Sequence, residues 1–124
     1  MEFKDTHAIY IQIGDYVCNQ ILSGRWKEGD RALSVRELGV ALEVNPNTVL
    51  RSYDFLQNMG IISNKRGIGY FVENDAVEKI KKIRKERFFT EELPPIFSNM
   101  QLLQIDLKEI ETQYLNFKNN NLVK

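Results

Sequence analysis

Val44–Leu56 reads VNPNTVLRSYDFL, and its first half is written as the start of a helix. The Asn45 side chain is suited to accept from the free N–H groups of a first turn, the N-cap role. Pro46 follows at the first helical position, where its missing N–H costs nothing and its fixed φ suits the helix. Val49, Tyr53, Leu56 and Met59 recur at three- and four-residue spacing, which marks one buried stripe, and Gly60 stops it. The remaining residues of the first two turns do not look like core: Asn47 and Thr48 are polar, and Arg51 comes one turn later. Taken alone, a capped core helix with a solvated arginine accounts for them. Capping by itself, however, needs neither two asparagines nor an arginine on the outward side.

The flanking sequence supplies the setting. Upstream, HAIYIQIGDYVCNQILSG (His7–Gly24) carries Ile9, Ile13, Tyr16, Val17 and Ile21 near helical spacing, with Gly24 at the position of a C-cap. RWKEGD then makes a turn through Gly29 and Asp30. Ser34 opens SVRELGVALEV, and Glu37 three residues later completes a capping box, with Val35, Leu38 and Leu42 as the apolar stripe. Downstream, IISNKRGIGYFVE (Ile61–Glu73) holds two short β-prone runs around Lys65, Arg66, Gly67 and Gly69, the pattern of a hairpin. Three helices and a basic hairpin are the layout of a winged helix-turn-helix.

From Asn74 the pattern is helical again. Val77, Ile80 and Phe88 form a stripe beside the charged run KIKKIRKER, which could extend a DNA footprint but more often marks the solvated side of a packed helix. Pro94–Pro95 predicts a kink or break near residues 90 to 95. IFSNMQLLQI continues the apolar pattern, and Asp106 is placed as N-cap of LKEIETQYLNF. The expected fold class is therefore mainly α with a small β-hairpin: a winged helix-turn-helix over residues 1–73 and a helical tail over 74–124.

Composition narrows the function. Of the 124 residues 43% are hydrophobic, enough for a packed core. Cys18 is the single cysteine, which excludes an internal disulfide and a cysteine-based zinc site and fits an inert buried thiol in a reducing cytoplasm. No secretory leader or membrane-spanning run stands out, so no membrane role is expected. Net charge is zero, and division does not change this: residues 1–73 hold 8 Lys plus Arg against 9 Asp plus Glu, and residues 74–124 hold 9 against 8. A nucleic-acid partner must then depend on where the cations sit rather than on their number.

Several of them sit in suggestive places. The N-terminal residues of a second helix reach furthest into a major groove, here Asn45, Asn47 and Thr48, with Arg51 a turn behind. Arg36 lies in the first turn of its helix, where a cation opposes the dipole by roughly a few tenths of a kcal/mol. A phosphate would explain it, and so would an ion pair with Asp30. Lys65 and Arg66 at the hairpin tip suit a minor groove or the DNA backbone. His7 has no ligand-spaced companions and reads as an ordinary surface histidine. No nucleophile–base set or phosphate-binding glycine loop is present, so neither an enzyme nor a cofactor or metal is expected.

At this point the residues resemble a known family. IYIQI, GDRALSVREL, VNPNTVLRSY, MGII and RGIGYFV occur in the order and spacing of the DNA-binding domain of GntR-family bacterial transcription regulators, from Ala8 to Val72. The resemblance implies a winged helix-turn-helix that binds a palindromic operator as a homodimer, a repressor in function. It implies DNA contacts at Arg36, Asn45, Asn47, Thr48 and Arg51, and wing contacts at Arg66, Gly67 and Gly69. Two departures stand out: Ala32-Leu33-Ser34 replaces the usual Leu-Pro-Ser, and Pro46 stands where many members have arginine, which moves specificity toward Asn47 and Arg51. The short helical remainder resembles the YtrA-type subfamily, whose tail dimerises. The residues agree: a stripe of Val77, Ile80, Phe88, Phe97, Leu103, Ile110 and Tyr114 is too apolar for lone helices in water, and a second copy or the chain's own first domain must cover it. The alternative function is a winged-helix module that uses the same surfaces on a protein partner.

Overall fold

A computed structural model describes residues 8–121. The chain forms α1 (Ile9–Leu22), α2 (Val35–Leu42), α3 (Pro46–Asn58), β1 (Ile62–Lys65), β2 (Gly69–Val72), α4 (Ala76–Arg87), a π-helical turn (Phe88–Glu92), α5 (Leu93–Leu103) and α6 (Leu107–Asn121). The mainly α class with one antiparallel hairpin is as the sequence predicts. His7 lies outside the described residues.

Two compact units divide the chain between Ile83 and Arg84. The first is built on Ile13, Val17 and Ile21 of α1, Leu38 and Leu42 of α2, and Val49, Tyr53 and Leu56 of α3. Cys18 is buried among them. Ile61, Ile62 and Val72 of the hairpin and Ala76 and Ile80 of α4 complete the same core. The local signals hold their elements as expected. Ser34 Oγ accepts from Glu37 N–H at 3.0 Å while Glu37 accepts from Ser34 N–H at 2.8 Å, the reciprocal box that starts α2. Gly24 and Gly60 take positive φ, 81° and 75°, where α1 and α3 end.

The turn between α2 and α3 is tight. Glu43 adopts the left-handed conformation (φ 57°), and Val44 N–H donates to Gly39 C=O at 2.9 Å. A Cβ on Gly39 would stand 3.0 Å from the Val44 carbonyl and 3.5 Å from Pro46 Cγ, so the absent side chain is what lets α3 begin so close to α2.

The hairpin pairs Ile62 with Val72, Ser63 with Phe71, Asn64 with Tyr70 and Lys65 with Gly69. A third segment, Gly29–Ala32, lies along β2: Gly29 N–H donates to Val72 C=O, Val72 N–H to Asp30 C=O and Ala32 N–H to Tyr70 C=O, at 2.8–2.9 Å. The wing is thus tied at its base to the strand-like link before α2.

α4 belongs to the first unit over most of its length. Val77 N–H donates to Glu28 Oε2 (3.0 Å), and Lys79 Nζ donates to Gly60 C=O (3.2 Å). The second unit holds the end of α4, the π-helical turn, α5 and α6. Pro94 and Pro95 do not break the chain. They occupy the first turn of α5, where missing N–H groups are tolerated, and the wide turn at Phe88–Glu92 precedes them. Asp106 caps α6 in a reciprocal box with Glu109 at 2.9 and 3.0 Å.

Candidate nucleic-acid interface

The start of α3 is fixed from within. Asn45 Oδ1 accepts from Asn47 N–H at 2.8 Å, and Asn45 C=O accepts from Thr48 N–H at 2.9 Å. With its oxygen committed to the cap, Asn45 has only its NH2 group to offer outward, so it cannot make a bidentate pair with adenine while it caps. Asn47 is exposed with both amide groups at hand, and Thr48 beside it is half-buried. Of the two asparagines, Asn47 is the one whose amide is free at both ends for a bidentate partner.

Arg51 is exposed, with its guanidinium carbon 4.0 Å from the centroid of the Tyr10 ring on α1. Arg36 is exposed in the first turn of α2, and of the two partners its sequence position allows, the Asp30 ion pair does not form. Asp30 instead accepts from the Lys27 backbone N–H at 2.9 Å. Tyr53 steadies this arrangement: buried on α3, it donates to Leu33 C=O at 2.5 Å and stacks edge-on with Tyr70 of β2 at 4.9 Å. Burial pushes the Tyr53 phenol well above its ordinary pKa, with the neighbouring Tyr70 adding to it, so it stays a neutral donor. Burial, then the Asp54 carboxylate, raises Tyr70 as well.

At the wing the structure separates two residues that the sequence grouped. Lys65 ends β1 at the foot of the tip turn, where its C=O accepts from Ile68 N–H at 2.9 Å, and its ammonium lies back over Phe71, 4.4 Å from the ring centroid. Arg66 alone is left at the tip with Gly67 (φ 79°) and the exposed Ile68. Gly69 (φ 137°) faces a cation that the sequence did not single out. A Cβ there would lie 2.9 Å from Arg31 Nε. Arg31 is exposed and is carried to the wing by its bridge to Phe71. A basic residue directly after the Gly29-Asp30 turn is the only sequence signal for it.

The apolar stripe assigned to dimerisation divides in two. Ile80 is 1% exposed in the core of the first unit, and Val77 packs on that core, so both anchor α4 to its own domain. Ala76 and Ile80 join Ile61, Ile62 and Val72 and the three helices in one buried cluster, so α4 completes that core. In the second unit Phe88, Phe97, Leu103 and Tyr114 are exposed, Leu103 by 68%, and Ile110 is half-buried. Among the described residues no group of His, Cys, Asp and Glu could hold a metal ion, and no helix is long and apolar enough to cross a membrane.

Known proteins share this arrangement. The chain is 34% identical over 88 residues to YhcF of Bacillus subtilis, an uncharacterised helix-turn-helix transcriptional regulator, across 68% of this chain and 73% of that one. It is 38% identical over 73 residues to the transcriptional repressor YtrA of the same organism, across 59% and 56%. A crystal structure assigned to the GntR family from Bacteroides thetaiotaomicron superposes with a TM-score of 0.80 at 46% identity, covering 92% of this chain and 99% of that one. The model of the bacterial regulatory proteins of the gntR family matches residues 9–72, and the chain belongs to that family of transcription regulators.

Proposed function

We propose that the chain is a cytoplasmic repressor that reads a palindromic operator as a homodimer, with α3 in the major groove and the hairpin as a wing. The observation that carries this reading is the start of α3. There a cap closed from within leaves Asn47 and Arg51 exposed, in the same compact unit as a hairpin tip bearing Arg66. Asn47 and Arg51 serve base edges, Asn45 and Thr48 the adjoining backbone. Arg36, Arg66 and the backbone at Gly67 and Gly69 meet phosphates, with Lys65 and Arg31 behind them. Repression is supported by the name of the relative YtrA.

The dimer is supported by the second unit, where Phe97, Leu103, Tyr114 and Phe117 are between 48% and 67–68% exposed. Burial of such side chains against a second copy gains about 25 cal/mol per Å² of apolar area. A two-fold dimer then explains why the operator repeats as a palindrome.

Selection of duplexes from a random pool by the purified chain, followed by sequencing, tests the reading. The expected result is an inverted repeat, bound with an affinity that falls steeply with salt. Recovery of no sequence, together with salt-independent binding, would leave the protein-interaction alternative in its place. Sedimentation at micromolar concentration should give twice the monomer mass.

A further inference from the structure

We propose that Tyr10 of α1 is a positioning residue for base recognition: it holds the Arg51 guanidinium in the orientation in which that group meets DNA. The inference rests on α3 being the helix that enters the groove.

The two residues of α3 one turn apart, Arg51 and Phe55, both engage the Tyr10 ring. Arg51 lies over it at 4.0 Å, and Phe55 meets it at 87° with centroids 5.8 Å apart. The ring comes from a rigid support, because α1 lies close on α3 one turn further along. A Cβ on Gly14 would already stand 3.5–3.7 Å from Ser52, Phe55 and Leu56.

An arginine stacked on an aromatic ring uses the face of its guanidinium and keeps its N–H donors in the plane, which are the groups that pair bidentately with guanine or with a phosphate. Stacking also removes side-chain freedom before binding that would otherwise be lost on binding. Among the described residues no carboxylate pairs with Arg51, not even Asp54 on the same helix, so the ring is what directs it. Tyr10 therefore acts through Arg51 and not by touching the base itself.

The test uses the full chain, a duplex selected from a random pool by the wild-type protein, and a random duplex as control. Tyr10→Leu should weaken binding to the selected duplex about tenfold and leave the random duplex and its salt slope unchanged. The double variant with Arg51→Ala should bind no more weakly than Arg51→Ala alone. Tyr10→Phe, which keeps the ring, should stay within about twofold of wild type. If Tyr10→Leu unfolds, Tyr10→Met serves in its place, as it keeps volume without a π face.

Additive losses in the double variant, or equal losses for Phe and Leu, would overturn the proposal. The second outcome would make the hydroxyl a direct contact. Sharp selection by the wild type with an additive cycle overturns only the role of Tyr10. A wild type that prefers no duplex overturns the groove-reading helix along with it.

Discussion

Replacing Ile80 by alanine separates the two places that an apolar residue of α4 can occupy. The structure buries its side chain, 1% exposed, in the core that α1, α2 and α3 share with Ile62 and Val72. The change removes three carbons, about 2.4 kcal/mol of transfer energy at roughly 0.8 kcal/mol each. The residual cavity adds more, and the usual range for such truncations is about 2–5 kcal/mol. For a unit of this size that corresponds to a drop in Tm of at least about 10 °C. Trp26, the single tryptophan, packs against this core and reports its unfolding by fluorescence. Urea titration should show the midpoint of Ile80→Ala well below wild type at every protein concentration. A dimer-face residue would behave otherwise, with an unchanged midpoint once the monomer is reached and a weaker association in sedimentation. That second pattern would refute the placement of α4 in the first unit.

Other substitutions probe single physical effects. Ser52, fully buried with no hydrogen-bond partner for Oγ, should give a protein more stable by about 1 kcal/mol as Ser52→Ala, read from urea midpoints. The bonds from Ser34, backbone first, hold the Glu37 carboxyl below its ordinary pKa. Its contribution is therefore full above the ordinary carboxylate value and is lost as pH falls through the lowered one. Glu37→Gln should lack that acid-side loss in urea midpoints measured against pH. Gly60→Ala forces a left-handed residue at φ 75° and sets a Cβ 2.6 Å from Lys79 Nζ, so stability should fall by at least about 1 kcal/mol.

What the sequence disclosed was whatever a few neighbouring residues decide. The Ser34–Glu37 box, the Asn45–Pro46 start and the Asp106 cap each need only the next three residues, and all three form. The fold class follows because the apolar periods are local too. Periodicity states that a face is apolar but not what covers it, and so Ile80 and Phe97, members of one apparent stripe, have different surroundings. Arg31 reaches the wing through a bridge to a residue 40 positions away in sequence, and Tyr10 meets Arg51 from another helix. Gly39 carries no local signal of its own; only the return of Val44 and Pro46 over it shows the need for a missing Cβ. The Lys65 ammonium lies over the ring of Phe71, a diagonal cross-strand neighbour that only the hairpin register reveals.

A net charge of zero is compatible with the DNA-reading role proposed for α3 because the two signs are used differently. The carboxylates of Glu28, Asp30 and Glu37 accept backbone N–H groups at Val77, Lys27 and Ser34, and Asp75 pairs with Lys79 at 3.2 Å. They are committed to turns, a helix start and a helix side. Arg36, Arg51 and Arg66 are exposed, and among the described residues none forms an ion pair. Charges further apart than about 10 Å are screened at ordinary salt, so a phosphate near α3 meets the local cations and not the total. The total still matters for the encounter. Without a strong positive field little steering is expected, and a weak hold on arbitrary duplex with it. On the proposed reading, discrimination then rests on short-range contacts at Asn47, Arg51 and the wing. With so few of them, the direction in which one guanidinium is held is expected to be worth about tenfold in affinity, the loss proposed for Tyr10→Leu.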